Sequence, residues 1–416
     1  MLIDDRARSP AHQSPAATAV SARSFTVRVA LFYAALFVVY GAQLPFLPLW
    51  LDARGLTPAE IGLATSLPLF ARLLVTPSIA VIADRSNAHA RIAMVLAAIA
   101  LAASLMLPVA SGMLAISGLI LLFLVSIQSA MPLVETIAMR GVRTANLDYG
   151  RMRLWGSVTF IAANLAGGFI IDATGRGSIA WMLITGNALT LIATALLPAP
   201  ASAEPAAAST TEAPDPVTKS TTMSAGTFAP VLRLLRQPPV VLFLIATGAI
   251  QASHAVFYTF GAVHWRGLGM SSHWIGALWA IGVVVEVALF AFSARAVHMA
   301  GARGLLLAGG MAGVIRWVAM AFDPPLAMLI PLQVLHAATF GATHLAAMHL
   351  ITELVDERDA GTAQSLHATV TAGIAMGGAI AMAGPLYAAL GSRCYLAMAV
   401  LAAVGLAAAV RLGNRQ

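Results

Sequence analysis

Residues 280–292 read AIGVVVEVALFAF, and the one residue of the thirteen that is neither apolar nor glycine is Glu286. A carboxyl group in such a run can carry a proton across an apolar barrier. It can equally form half of an ion pair that fixes helix packing, with Arg316 of GVIRW as its partner. Arg72 stands in a comparable run, IGLATSLPLFARLLV. Its guanidinium stays charged and presents a planar fork suited to a carboxylate, either that of an anionic substrate or that of Glu135. Helical spacing gathers further polar groups onto shared faces: Gln128 with Glu135, then Gln251, His254 and Tyr258, then Gln333, His336, Phe340 and His344. Tyr33, Phe37 and Tyr40 form an aromatic stripe that, with Phe257, Tyr258 and Phe340, can line a cavity for a flat apolar body or simply pack helices together.

Each of these ionisable groups costs about 2.5–3.5 kcal/mol if it sits at the centre of a bilayer, so it should face a bundle interior or a wet cavity. The chain as a whole demands that setting. It has 416 residues, 59% of them hydrophobic and 10% charged, with a mean hydropathy of +0.85. A soluble domain carries roughly 25% charged residues. The net charge of +7 comes from 23 arginines and a single lysine, mostly in short gaps between apolar runs. That pattern fits membrane topology signals and not a nucleic-acid surface. Cys394 is the sole cysteine, so no intrachain disulfide forms. The histidines fall on different predicted helices without a companion cysteine or carboxylate cluster, and no metal site or cofactor is expected. No nucleophile turn or nucleotide loop is present, so no catalytic residue is assigned and an intramembrane enzyme is disfavoured.

Twelve segments are long and apolar enough to span: 27–50, 59–82, 91–109, 112–139, 153–172, 178–197, 239–263, 273–294, 303–321, 325–352, 361–389 and 392–411. With both termini on one side, that side holds eighteen of the basic residues and the other side four, while Arg72 and Arg316 lie within spans. The bias places both termini in the cytoplasm of a multi-pass inner-membrane protein. The expected organisation is an N-terminal tail (1–25), a six-helix bundle (26–198), a Pro/Ala/Ser/Thr-rich cytoplasmic linker (199–236), a second six-helix bundle (237–411) and a short tail (412–416). The bundles carry weak internal repeats in the same order. Arg72 lies ten residues after Gly62 and Glu286 ten after Gly276; ETIAMR matches HLAAMH, and DYGRMRLWGS matches DAGTAQSLHA. The fold class is therefore all-α, twelve transmembrane helices in two pseudo-symmetric halves.

QASHAVFYTF, IGALWAIGVVVEVALFAFS, GVIRW, LQVLHAATFGATHLAAMH, DYGRMRLWGS and YGAQLPFLPLWL resemble the phenylpropionate-permease-like branch of the major facilitator superfamily. The resemblance covers all twelve spans. It implies a proton-driven importer of small aromatic acids working by alternating access, with Glu286, His254, Arg316, His336 and His344 at positions that match the branch's motifs. The superfamily's short loop motif is degenerate here. AVIADRSNAHAR keeps Asp84, Arg85 and Arg91, but Ala80 and Asn87 stand where glycines are usual.

The expected function is symport of a small organic anion with protons. Glu286, Glu135 and His344 would carry protons. Arg72, Gln251, His254, Tyr258, Tyr40, His336 and Phe340 would bind substrate. Arg316, Asp84, Arg85 and Arg91 would form structural or gating pairs. The expected partners are the substrate, protons and the lipid bilayer, with the chain acting as a monomer. A proton-coupled exporter, an importer of a neutral solute such as a sugar or nucleoside, and a non-transporting sensor are the alternatives.

Overall fold

The computed structural model describes residues 22–198 and 228–413, all of whose regular elements are helical. The predicted N-terminal tail is thus described only from Ala22 and the linker only from Phe228, where a short helix stands instead of irregular chain. The first half comprises α1 (Ala22–Ala53), α2 (Pro58–Ser86), α3 (His89–Met106), α4 (Met113–Ala145), α5 (Tyr149–Thr174) and α6 (Ser178–Ala195). The short α7 (Phe228–Leu235) leads into α8 (Pro238–Ala252), α9 (Ala255–Gly267), α10 (Ser272–Ala291), α11 (Ser293–Met320) and α12 (Leu326–Val334). Then come α13 (Thr343–Leu354), α14 (Glu357–Ala368), α15 (Met376–Leu390) and α16 (Tyr395–Leu412). Two π-helical turns, Ala337–Ala342 and Thr369–Ala375, join α12 to α13 and α14 to α15.

Eleven helical stretches among the described residues are long and apolar enough to cross a membrane, the last being Glu357–Leu412 with 56 residues. A continuous helix of that length would run about 84 Å, far beyond the roughly 30 Å of a bilayer core. It breaks at Gly391, whose φ of +55° ends α15, and so supplies two crossings. Twelve crossings result, as the sequence predicts.

Local signals place several ends. Thr57 caps α2 in a reciprocal box with Glu60, and Pro58 opens the helix. Asn87 ends α2 at φ +48°, a left-handed position that asparagine tolerates better than other side-chain-bearing residues. This explains how the loop motif survives without its usual glycine.

The halves meet along two seams. α2 packs on α15, and α5 packs on α10. α2 and α10 are the second crossings of their halves; α5 and α14–α15 are the fifth. The seams are therefore one seam repeated by a pseudo-two-fold. Both are tightest at the membrane face away from the chain ends, here called the far face. A Cβ on Gly276 would collide with the Asn164 carbonyl, and one on Gly384 with the Pro58 carbonyl. Toward the terminal face, which carries the described chain ends, burial falls away. α10 is buried from Ser272 to Gly282 and nowhere beyond, and α2 is buried from Ile61 to Pro68 and then only at Ala83. The molecule is closed at the far face and parts toward the terminal face.

Candidate functional site

Between the halves lies a cavity of about 300 Å³. Arg72, Gln128, Gln251, Tyr258, Phe340, His344 and His367 supply much of its polar and aromatic lining, with Gln43 beside them, and Leu44, Pro68, Leu69 and Met376 part of its apolar wall. Arg72 donates to Gln128 Oε1 (3.2 Å) and, across the halves, to the carbonyl oxygen of Ala372 (3.0 Å). The anticipated Arg72–Glu135 brace is not formed. Glu135 instead accepts from the Tyr149 hydroxyl (3.4 Å).

Beside the cavity, a buried polar chain runs through the second half. Arg316 is fully buried. Its guanidinium donates to Gln333 Oε1 (2.6 Å), Thr339 Oγ1 (3.3 Å) and His336 Nδ1 (3.1 Å), and its flat faces lie near Phe257 (4.7 Å) and Trp317 (4.5 Å). Arginine can only donate, so His336 Nδ1 must accept. The ring proton then sits on Nε2, which faces Glu286 Oε2 at 3.4 Å. Glu286 thus reaches Arg316 through an imidazole, a connection that one-dimensional spacing did not reveal. On the other side of Thr339, its hydroxyl meets His254 Nε2 (2.9 Å), while His254 Nδ1 donates to the Gln251 carbonyl (3.0 Å).

The backbone makes room for this chain in two places. The seventh crossing breaks at Ser253–His254, between α8 and α9, and Trp317 Nε1 donates to Ser253 Oγ there (2.8 Å). The tenth widens into the π-turn Ala337–Ala342. The turn splits the predicted face: Gln333 and His336 point to Arg316, while Phe340 and His344 line the cavity. Such interruptions recur at functional sites of membrane helices.

The other predicted site residues are placed as follows. Arg72, Gln251, Tyr258 and Phe340 line the cavity, as does His344. His254 and His336 stand behind that wall, their rings 5.4 Å apart. Tyr40 packs edge-on against Phe37 (5.2 Å). At the terminal end of α2, Asp84 pairs with His89 Nε2 (2.8 Å), while Arg85 and Arg91 are exposed and Arg140 reaches Asn87 Oδ1 (3.0 Å).

Two residues, Thr339 and Arg153, emerge that spacing alone did not single out. Thr339 completes the Arg316 network together with Gln333, which spacing had already placed on the face of His336. Arg153, which the charge count treats as a loop arginine, turns inward with its guanidinium 4.1 Å from the Phe37 ring and 5.4 Å from that of Tyr33. Among the described residues no carboxylate lies within ion-pair distance of it, yet Glu135 and Glu286 both lie within its electrostatic reach. The aromatic stripe was the available signal: a cation beside Tyr33 and Phe37 is a place where arginine is commonly held. No group of three or more His, Cys, Asp or Glu that could hold a metal ion occurs among the described residues.

At the far face, Asp172 of α5 accepts from the backbone N–H groups of Ser272 (2.7 Å) and His273 (2.9 Å) and from His273 Nδ1 (2.8 Å). It thereby caps α10 from the opposite half.

Two six-helix halves, joined by a repeated seam around a cavity with buried ionisable groups, define a multi-pass secondary transporter of the major facilitator fold. The chain belongs to the MFS_1 like family, whose model matches residues 26–396. It is 34% identical over 382 residues to the "Probable 3-phenylpropionic acid transporter" of Escherichia coli (strain K12), covering 90% of this chain and 94% of that protein. It is 30% identical over 356 residues to the "Maltose permease" of Geobacillus stearothermophilus, covering 83% of each. Among solved structures, a mutant of the nucleoside transporter NupG matches with a TM-score of 0.79 at 15% identity, over 94% of this chain and 99% of that one. A bacterial homologue of the human lysosomal transporter Spinster, inward-facing and unoccupied, matches with a TM-score of 0.66 at 17% identity, over 95% of each chain.

Proposed function

We propose that the protein takes up a small aromatic monocarboxylate together with protons by alternating access. The observation that carries this reading is the placement of Glu286. It is a carboxylate inside the membrane region, linked through His336 to buried Arg316, beside a cavity that offers Arg72 to an anion. In the cycle, Arg72 receives the carboxylate, and Leu69, Tyr258 and Phe340 hold the ring. When Glu286 is ionised, His336 Nε2–H donates to it. When Glu286 is protonated, the bond to its remaining carbonyl oxygen is weaker and the charge between the halves is reduced, which favours reorientation. The arginine bias supports a cytoplasmic terminal face, and this state is then open inward.

A neutral, hydroxyl-rich solute is the second reading. Gln43, Gln128 and Gln251 all line the cavity, and one relative is named for maltose. Export in place of import is a third.

Proteoliposomes separate the first two readings. An inside-alkaline gradient should drive accumulation of 3-phenylpropionate, and a protonophore should abolish it. Uptake indifferent to the gradient removes the coupling. Accumulation of maltose but not 3-phenylpropionate favours the neutral reading. Glu286→Gln should retain exchange of substrate across the membrane and lose accumulation; full accumulation would remove Glu286 from the proton path.

A further inference from the structure

We infer that the Ala372 carbonyl is a surrogate ligand for Arg72, and that a substrate carboxylate takes its place, so that binding itself breaks a hydrogen bond between the halves. The inference rests on the reading of Arg72 as the anion anchor and adds what that anchor exchanges when a substrate arrives.

Arg72 belongs to α2 of the first half, and Ala372 to the π-turn Thr369–Ala375 of the second. Their 3.0 Å bond lies at the end of the α2–α15 seam that borders the cavity. At the level of that bond and toward the far face the seam is tightly packed. The Leu73 side chain lies where a Cβ on Gly373 would have to go, and the Phe70 ring would be 3.0 Å from a Cβ on Gly377. Arg72 and Ala372 both line the cavity, so a ligand there can reach the guanidinium that the carbonyl now holds.

The exchange has a direction. A neutral carbonyl satisfies one N–H of a charged fork, whereas a carboxylate offers two oxygens to the fork and carries the opposite charge. Both bonds have a charged donor, but only the carboxylate adds the opposite charge and a second, parallel N–H···O bond. The freed carbonyl does not become a buried orphan, because it borders the cavity and water can reach it. A neutral solute cannot make the same exchange, so the arrangement couples release of the seam to the substrate's charge.

The test uses the full chain. In a Cys394→Ala background, which removes the sole native cysteine, Leu73→Cys is combined with Gly373→Cys. The smaller side chain at position 73 makes the room that a Cβ at 373 needs. The rate of disulfide formation is followed without ligand, with 3-phenylpropionate, and with 3-phenylpropionamide, which has the same ring and chain without the charge. Binding of 3-phenylpropionate is measured in parallel on the parent chain and on Arg72→Gln. The expected result is a several-fold slower cross-link with the carboxylate, no slowing with the amide, and about tenfold weaker carboxylate binding in Arg72→Gln. If binding depends on Arg72 but the cross-link rate is unchanged, the exchange is wrong and the anion site stands. If the carboxylate binds equally well without Arg72, the anion site itself fails and the inference falls with it. Arg72→Lys, which keeps a point charge without the fork, covers the case in which Arg72→Gln does not fold; affinity equal to the parent chain would overturn the two-point contact.

Discussion

Arg316 shows what a buried charge needs in this protein. It is removed from solvent, and its neighbours are an amide, a hydroxyl, an imidazole and two aromatic faces, with no carboxylate among the described residues in direct contact. Glu286 stands one group away, beyond the His336 ring. The bond to Gln333 is the shortest of the set at 2.6 Å. Hydrogen bonds inside membrane proteins average about 0.6 kcal/mol, but bonds to charged donors lie near the upper end of the range. Gln333→Leu should therefore lower stability by about 1–2 kcal/mol, seen as a reduced melting temperature of the purified protein. Thr339→Val removes the link between His254 and Arg316 and should lower stability similarly. Of this network, Glu286, Arg316, His336 and His254 were legible in the sequence, because an ionisable residue in an apolar run marks itself. Thr339 and Gln333 were not assigned roles, since an uncharged polar side chain on a membrane helix gives no sign of its partner.

In the proposed cycle, the helices convert such contacts into movement. α5 and α10 touch at Asn164 and Gly276. Arg153 lies eleven residues from that contact on α5, and Glu286 lies ten residues from it on α10. At 1.5 Å per residue these arms are about 16 Å and 15 Å, so the two side chains stand at matching depth on helices that meet at the far end. Closure of the terminal face would bring them together. Arg153→Met should slow substrate exchange while leaving 3-phenylpropionate affinity within a few-fold, which a parallel measurement of binding and exchange in proteoliposomes would check. At the other end, Asp172 holds α10 closed as a cap supplied by the opposite half. A helix cap contributes about 1 kcal/mol. Asp172→Ala should therefore shift the balance toward the far-face-open state by about fivefold, read as faster labelling of a Gln43→Cys reporter from the far side in a Cys394→Ala background. Gly276→Val should push the same way, because its side chain has no room beside Asn164 while the far face is closed. Labelling unchanged in both variants would mean that neither contact holds this state. Helix existence was legible from apolar length, but the breaks at Ser253–His254 and the two π-turns were not. No proline or glycine stands at Ser253–His254, and a one-residue widening leaves the local composition unchanged.

For the whole molecule, the count of crossings fixes where the ends lie. Twelve is even, so reporters fused at the two ends should be found on the same side, and the proposed orientation, which the arginine bias supports, makes that side the cytoplasm. A fluorescent protein active only in the cytoplasm should light at both ends and a periplasm-dependent phosphatase at neither; a split result would overturn the twelve-crossing topology. The sequence by itself determined the solvent, the approximate spans, the two-half plan and the main ionisable residues. These follow from quantities that add along a chain: apolar length, charge bias, and residues that are costly in lipid. The tertiary structure decided the partners. It gave Glu286 an imidazole in place of a direct arginine, gave Arg72 a carbonyl of the other half in place of Glu135, turned Arg153 inward from the loops, and set Asp172 on a helix end a hundred residues away. Helical period says which side of a helix a residue occupies. Only the packing of one half on the other says what that side meets.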